Sequence, residues 1–92
     1  LHHIFPREFL RDSNIIDNDL INDIGNLTII DQTINTTIGK ESPDSYLQRY
    51  KKFLDEHFIP QDTNLWSIEN FEEFIKERRK CIYEFILSNI LS

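Results

Sequence analysis

The stretch HHIFP at residues 2–6, together with NLTIID at residues 26–31, decides the predicted fold of this chain. Residues 1–5 are predicted to form a short strand, and Pro6 ends it because proline has no backbone N–H to donate to a neighbouring strand. Residues 26–31 are largely β-branched and apolar, so they are predicted to form a second strand. The sequence offers no further strand candidate, and we therefore expect these two strands to pair with each other.

Short helical segments are predicted on either side of the second strand. Residues 7–25 are mixed and polar, so we expect an irregular loop with one helical turn that Gly25 closes. Asp31 is expected to cap a short helix over QTINTTIGK at residues 32–40, which Gly39 ends. A lone hairpin is marginally stable in water, so helices must supply the core behind it.

Two longer helices are predicted in the second half of the chain. A helix over 43–58 is expected because Ser42 suits the N-cap, Pro43 suits the first turn and apolar residues recur at helical spacing. Ser67 is expected to cap a final helix over 68–90. The apolar residues of this helix are expected to pack against the preceding elements: Phe71, Phe74, Ile75, Ile82, Phe85, Ile86 and Ile90. The predicted fold class is α+β.

Length indicates one domain over residues 1–92. The order of the predicted elements divides it into a hairpin with its short helix at 1–40 and supporting helices at 41–92. A chain of 92 residues is large enough for a single hydrophobic core but not for two. The sequence has no apolar run as long as a bilayer crossing requires, so no membrane partner is expected. Because the first residue is not Met, we interpret the chain as a fragment or domain of a longer protein.

Charge and cysteine content narrow the classes of function. The net charge of −6 counts against a general nucleic-acid coat, but not against a nuclease, because a bound divalent cation supplies local positive charge. The single cysteine, Cys81, excludes an internal disulfide and fits a reducing, cytoplasmic compartment. Two basic clusters are interpreted as solvated helix faces: Arg49, Lys51 and Lys52, and Lys76, Arg78, Arg79 and Lys80.

The adjacent histidines His2 and His3 are the first candidates for chemistry. Side chains alternate along a strand, so the two rings are expected on opposite faces and in different roles. The alternatives are a remnant of a purification tag or an ordinary surface pair. Asn26 opens the second predicted strand and, taken by itself, is interpreted as a turn residue. Asn35 lies in the short helix and, taken by itself, is interpreted as an exposed helix residue. His57 lies at the end of an apolar helix face and is interpreted as structural.

These residues together carry a family resemblance. The segments HHIFPREFL and NLTIIDQTIN resemble the HNH, or ββα-metal, nuclease motif. More narrowly, HHIFP, the spacing of Asn26 and Asn35, IGKESPDSYL and FEEFIKERRKCI resemble the C-terminal nuclease domain of GmrSD-type modification-dependent restriction endonucleases. The resemblance covers nearly the whole chain and implies a ββα-metal hairpin plus short helix, followed by two longer packing helices.

The resemblance implies a role for each of four residues. His3 would be the general base, because neutral imidazole accepts a proton near neutral pH. His2 and Asn35 would be ligands of one divalent metal ion, and Asn26 would brace the loop that presents His3. The ion is expected to be Mg²⁺ or Mn²⁺, with other transition metals as alternatives because imidazole suits them.

The function implied by the resemblance is DNA cleavage by the metal-dependent endonuclease domain of a restriction or phage-defence protein in the bacterial cytoplasm. Arg7 and Lys40 would bind phosphate, although the simpler interpretation of each is a plain surface charge. The expected partners are DNA and an N-terminal ParB-like nucleotide-hydrolysing domain of the parent protein. The alternative is a non-catalytic interaction or DNA-binding module that retains the ββα fold, which the acidic net charge and the weak ligand set favour.

Overall fold

The structure is a computed structural model that describes residues 2–30 and 32–91, without the side chains at positions 32, 33, 35, 51–53 and 91. In chain order its elements are β1 (His2–His3), α1 (Arg7–Asp12), α2 (Asn18–Ile21), β2 (Leu27–Thr28), α3 (Gln32–Ile38), α4 (Pro43–Tyr46), α5 (Lys51–Glu56) and α6 (Phe71–Leu91). Short 3-10 turns lie at Ile24–Asn26, Thr63–Trp66 and Ile68–Asn70. Helices with a small antiparallel sheet make an α+β fold, as predicted.

The two strands form the small sheet that the sequence predicts. β1 and β2 pair antiparallel, with His2 opposite Thr28 and His3 opposite Leu27. Residues directly opposite each other in such a pair project from the same face of the sheet. His2 therefore projects from the same face of the sheet as Thr28, and His3 projects from the opposite face with Leu27.

Both strands are shorter than the predicted ranges 1–5 and 26–31, because each has only two residues. The chain leaves the ladder after His3, where Ile4 and Phe5 turn into the core and become completely buried. It also leaves the ladder after Thr28, and Ile29 is 75% exposed. β-branched sequence favoured a strand over 26–31, but a strand ends where its partner turns away.

The segment 7–25 contains two short helices where the sequence predicts a loop with one helical turn. α2 lies within the predicted turn and is capped by Asp17, whose Oδ1 accepts a hydrogen bond from Asp19 N at 2.9 Å. α1 was not predicted. It begins directly after Pro6, whose carbonyl oxygen accepts from Leu10 N at 2.9 Å, so the residue that ends β1 also starts this helix.

The predicted helix over 43–58 is interrupted, so that boundary was wrong. α4 begins at Pro43, as predicted, but a turn separates it from α5. Tyr46 and Leu47 are both completely buried at this point. Beyond them, the Arg49 guanidinium turns back to the Glu41 carboxylate, with nitrogen–oxygen distances of 3.1 and 2.9 Å. The helix is therefore interrupted where two adjacent side chains, Tyr46 and Leu47, are both anchored in the core.

α3 and α6 lie close to their predicted bounds. Gly39 follows the end of α3 and has φ of 57°, the left-handed conformation that favours glycine after a helix. The apolar stripe of α6 is buried only in its first half, where Phe71, Phe74 and Ile75 enter the core. In the second half Phe85 and Ile90 are 50% and 71% exposed, so the prediction that the whole stripe packs inward was wrong.

The core joins α6 to the loop after β1 and to the turn before β2. The Phe5 ring lies 5.0 Å from the Phe71 ring and 5.1 Å from the Phe74 ring, measured between centroids. A Cβ at Gly25 would lie only 2.7 Å from the Ile75 carbonyl oxygen. Glycine at this position therefore lets the Ile24–Asn26 turn approach the backbone of α6, which brings Asn26 to the end of β1.

Candidate active site

Asn26 connects the turn before β2 to the loop that follows His3. Its side chain is completely buried. Its Oδ1 accepts from Phe5 N at 2.7 Å, and its Nδ2 donates to Phe5 O at 3.1 Å and to Ile21 O at 2.9 Å. The backbone carbonyl of Asn26 also accepts from Ile4 N at 2.8 Å. Three of these bonds, to Ile4 and Phe5, hold the backbone immediately after His3 to the turn at Ile24–Asn26, and the fourth ties the turn to Ile21.

Arg78 of α6 holds the same turn from the other side, and the prediction that it belongs to a solvated helix face was wrong. Arg78 is 3% exposed. Its Nη1 donates to Ile24 O at 2.8 Å and to Leu27 O at 2.7 Å, and its Nε donates to His57 O at 3.1 Å. Burial lowers the pKa of Arg78 to about 10, which leaves it charged at neutral pH.

The sequence contained a signal for this burial that the analysis of basic clusters missed. Position 78 falls on the same helical repeat as Phe71, Phe74, Ile75 and Ile82. A charged residue on an apolar stripe indicates a buried contact with backbone or with an opposite charge. The neighbouring Arg79 lies off this stripe and pairs at the surface with the Asp23 carboxylate.

His3 is half-buried and contacts a residue that the sequence analysis did not identify. Its Nε2 lies 2.8 Å from Asn22 Oδ1. A side-chain carbonyl oxygen only accepts hydrogen bonds, so the ring must donate from Nε2, and the lone pair of the neutral ring is on Nδ1. Asn22 lies just after α2, and nothing in its spacing from His3 indicates the contact.

An open groove of about 600 Å³ lies beside His3. The residues that line it are His3, Pro6, Arg7, Glu8, Gly39 and Lys40. The structure thus brings the two candidate phosphate-binding cations, Arg7 and Lys40, to the same groove as the candidate base. Both cations are exposed, and Glu8 contributes one opposing charge.

His2 lies in different surroundings from His3. It is 3% exposed, and its Nε2 lies 3.3 Å from Tyr46 Oη. The rings of His2 and Tyr46 meet edge to face, with centroids 6.0 Å apart. The Tyr46 hydroxyl donates in turn to Ile4 O, and burial raises the pKa of Tyr46, so this hydroxyl keeps its proton at neutral pH. The two histidines therefore have separate polar partners.

The second predicted metal ligand, Asn35, lies in the middle of α3, and its side chain is outside the described residues. Within the part of the chain that the structure describes, no group of three or more histidine, cysteine, aspartate or glutamate residues could hold a metal ion. An imidazole and one amide oxygen form a neutral set of metal ligands. Such a set can bind Mn²⁺ and other transition-metal dications when phosphate oxygens complete the coordination shell. The donor chemistry of His2 and Asn35 fits such an ion.

Comparison with known proteins identifies the family. A family model described as the C-terminal domain of GmrSD restriction endonucleases matches residues 1–85. This chain belongs to that family. The matched region includes His2, His3, Asn26, Asn35 and Arg78. An uncharacterized protein of Methanocaldococcus jannaschii is 33% identical in an alignment that covers 97% of this chain and 20% of the relative.

The chain therefore spans about one fifth of the length of that relative. No solved structure matches the chain. Among the described helices, none is both long and apolar enough to cross a membrane.

Proposed function

We propose that this domain cleaves DNA as a metal-dependent endonuclease of the HNH, or ββα-metal, type. Membership in the GmrSD restriction endonuclease family supports nuclease activity in general terms. The observation that carries the finer proposal is the groove in which His3 lies beside Arg7 and Lys40. A base next to two cations is the combination that phosphodiester hydrolysis requires, because the substrate is an anion and the nucleophile is a deprotonated water.

His3 acts as the general base in this proposal. The Asn22 Oδ1 contact keeps the ring proton on Nε2, so Nδ1 accepts the proton of the attacking water. The water oxygen forms a bond to phosphorus as the bond to the departing sugar oxygen breaks, and the imidazolium that results stays hydrogen-bonded to Asn22. Arg7 and Lys40 bind the phosphates on either side of the scissile bond.

His2 and Asn35 would hold the divalent cation, Mg²⁺ or Mn²⁺, whose chemistry when bound is to neutralise charge on the phosphate and the departing oxygen. Asn26 keeps the loop after His3 in place through its bonds to Phe5. A base that is held in position contributes more than one that is only nearby, because orientation lowers the barrier. The order β1, β2, α3 supports the ββα-metal description of the first 40 residues, with residues 41–92 as supporting helices.

The biological setting is part of the same proposal. DNA is the substrate, and an N-terminal ParB-like nucleotide-hydrolysing domain in the parent protein licenses its cleavage in the bacterial cytoplasm. The length of the curated relative, of which this chain spans about one fifth, leaves room for such a domain. We expect the rest of the parent protein to choose which DNA is cleaved.

The test compares His3→Ala with His2→Ala in the full-length protein, using a nicked-plasmid assay with Mn²⁺ and calorimetric titration with Mn²⁺ alone. We expect His3→Ala to lose about 10²- to 10⁴-fold in cleavage and to retain Mn²⁺ binding, because it removes the base and not a ligand. His2→Ala should weaken Mn²⁺ binding. His57→Gln, a histidine variant outside the groove, is the control and should cleave at the wild-type rate.

Cleavage by His3→Ala at the wild-type rate would show that His3 is not the base. The second candidate function is a non-catalytic interaction or DNA-binding module. The net charge of −6 favours an interaction module over DNA binding, and the neutral ligand set favours a domain without catalysis. This second function predicts that the wild-type protein binds DNA, or a protein partner, and does not cleave DNA at any Mn²⁺ concentration.

A further inference from the structure

A second groove, of about 560 Å³, lies between residues 24–29, the end of α5 and α6, and it shares no residue with the groove beside His3. We call it the apolar groove, because five of the residues that line it are apolar: Ile24, Leu27, Ile29, Phe58 and Ile82. Ile24 and Ile29 are 61% and 75% exposed. A group of exposed apolar side chains marks an interaction site, whereas single ones do not.

The apolar surface continues from this groove along α6. The Phe58 ring lies 4.8 Å from the Phe85 ring, measured between centroids. Phe58 has φ of 56°, a left-handed conformation that costs energy for a bulky residue, and its contact with Phe85 helps to offset that cost. Phe85 and Ile86 are 50% and 45% exposed, one turn beyond Ile82. The groove and this part of α6 therefore present a single apolar surface.

Arg78 lines the apolar groove with a guanidinium group that is only partly hydrogen-bonded. Its Nη1 donates to Ile24 O and Leu27 O, and its Nε donates to His57 O. A guanidinium has five N–H donors, so the two on Nη2 have no acceptor among the described residues. No buried side-chain nitrogen or oxygen in that part of the chain lacks a partner, so Nη2 must be open to solvent. The apolar groove, which Arg78 lines, provides this opening.

The charge of Arg78 also lacks an anionic partner among the described residues, although Arg78 is 3% exposed. Glu56 lines the groove, but its side chain is exposed and forms no ion pair with Arg78 in the described structure. A buried charge is most stable when an opposite charge completes its hydrogen bonds. A carboxylate oxygen at Nη2 would supply both the missing acceptor and the missing negative charge.

We propose that the apolar groove is the docking site for a segment of the parent protein outside this chain. The segment presents apolar side chains to Ile24, Ile29 and Phe58, and one aspartate or glutamate whose carboxylate accepts from Arg78 Nη2. The inference goes beyond the proposed function, because it assigns an interaction surface and does not depend on nuclease activity.

The family and the curated relative favour an occupant from the same polypeptide. The matching family model describes a C-terminal domain, and the aligned region is 20% of the relative. The other residues of such a parent are tethered to this domain, so their effective concentration at the groove is high. A second copy has no such tether and would bring another net charge of −6.

Photo-cross-linking in the full-length parent identifies the occupant. Replacing Ile29 with p-benzoylphenylalanine places a photoreactive group in the groove. The same change at Ile16, which is 76% exposed and does not line the groove, is the matched control. We expect the group at position 29 to react with one apolar segment that contains Asp or Glu and lies outside residues 1–92 of the same polypeptide. The group at position 16 should not react with that segment.

A mixture of isotope-labelled and unlabelled parent protein shows whether a cross-link joins one polypeptide or two copies. A cross-link between copies would overturn the inference, as would reaction with residues 1–92 alone. Equal reaction of the segment with positions 16 and 29, or no cross-link from position 29, would also overturn it.

Hydrogen exchange in the parent tests the role of Arg78 without replacing it, because Arg78 also holds three backbone carbonyl groups. Changing the acidic residue of the cross-linked segment to its amide removes the charge and keeps the shape. We expect the amides of residues 24–29 to exchange about 10- to 100-fold faster, because a hydrogen bond between charged groups is lost. Unchanged exchange rates would overturn the inference.

An acidic substitution in the groove gives an independent test. Ile29→Asp places a competing carboxylate beside Arg78 and removes apolar contact, so the amides of the docked segment should exchange about 10-fold faster or more. Ile16→Asp is the matched control and should leave the exchange of that segment unchanged. Equal effects of the two substitutions would overturn the inference.

Discussion

The Asn26 side chain pairs with the Phe5 backbone in the way that one strand residue pairs with another. Its Oδ1 accepts from Phe5 N at 2.7 Å and its Nδ2 donates to Phe5 O at 3.1 Å. The side chain thus satisfies both polar groups of Phe5 at the point where β1 has already left the ladder. A sheet of two-residue strands keeps its geometry beyond its last residue because an amide side chain replaces the missing backbone partner.

Replacing Asn26 with aspartate should destabilise the fold and disturb the candidate site. Asn26→Asp removes the donor to Phe5 O and Ile21 O and places a carboxylate at a completely buried position. We expect the free energy of unfolding to fall by about 2 kcal/mol or more, because two buried acceptors lose their partner. Urea denaturation measures this loss. Asn18→Asp at the exposed start of α2 is the control, and a loss at Asn26 as small as at Asn18 would contradict the bracing role.

Replacing Arg78 with methionine should destabilise the fold more than the same change at Arg79. Arg78→Met leaves Ile24 O, Leu27 O and His57 O without their donor, and we expect a loss of about 2–4 kcal/mol. Arg79→Met removes one partly exposed ion pair, which contributes about 0–1 kcal/mol. Equal midpoints of urea denaturation for the two variants would show that the buried contacts of Arg78 carry little stability.

Removing the cations of the groove should lower the affinity for DNA and make that affinity less dependent on salt concentration. Arg7→Ala and Lys40→Ala should each reduce the slope of log affinity against log salt concentration by about 0.9, the value for one phosphate contact on duplex DNA. Arg11→Ala, which removes an exposed cation of α1 outside the groove, is the control. Fluorescence anisotropy at several salt concentrations measures the slopes. Slopes that change as much for Arg11 as for Arg7 and Lys40 would assign the effect to net charge alone.

Acid should weaken the fold through His57. Burial lowers the pKa of His57, and Arg78 adds to this, while Glu56 opposes it. Below about pH 6.5 the unfolded chain gains a proton that the folded chain does not, so stability falls as pH decreases. The loss ends once pH has passed the lowered folded-state pKa.

The same denaturation series on His57→Gln measures this contribution. We expect the variant to lose the decline that begins as the pH falls below about 6.5 and to retain any decline that carboxylates cause at lower pH. The hydrogen bond from Arg49 lowers the pKa of Glu41, so protonation of Glu41 reduces the stability of the fold only in that more acidic range. An unaltered pH dependence in His57→Gln would show that His57 does not titrate differently in the folded and unfolded chains.

Local sequence was sufficient for the features that depend on neighbouring residues. Proline at position 43 starts a helix and Gly39 ends one, because their backbone preferences act on their own φ angles. The pairing of the two strands, the long final helix and the α+β class were also predicted correctly. The four motifs that resembled the GmrSD family gave the family that the comparison shows. The strand pairing joins distant residues, but it could be predicted because the sequence has only two strand candidates. The other features need no knowledge of which distant residues meet.

The tertiary structure decided the contacts that join distant parts of the chain. His3 meets Asn22, His2 meets Tyr46 and Arg78 meets Ile24 across separations of 19, 44 and 54 residues. Periodicity reports the face on which a side chain lies, but not the donor or acceptor that packing brings to that face. The extent of the strands and the break after Tyr46 follow from the same cause, because a segment keeps its local preference only while packing and buried hydrogen bonds allow it.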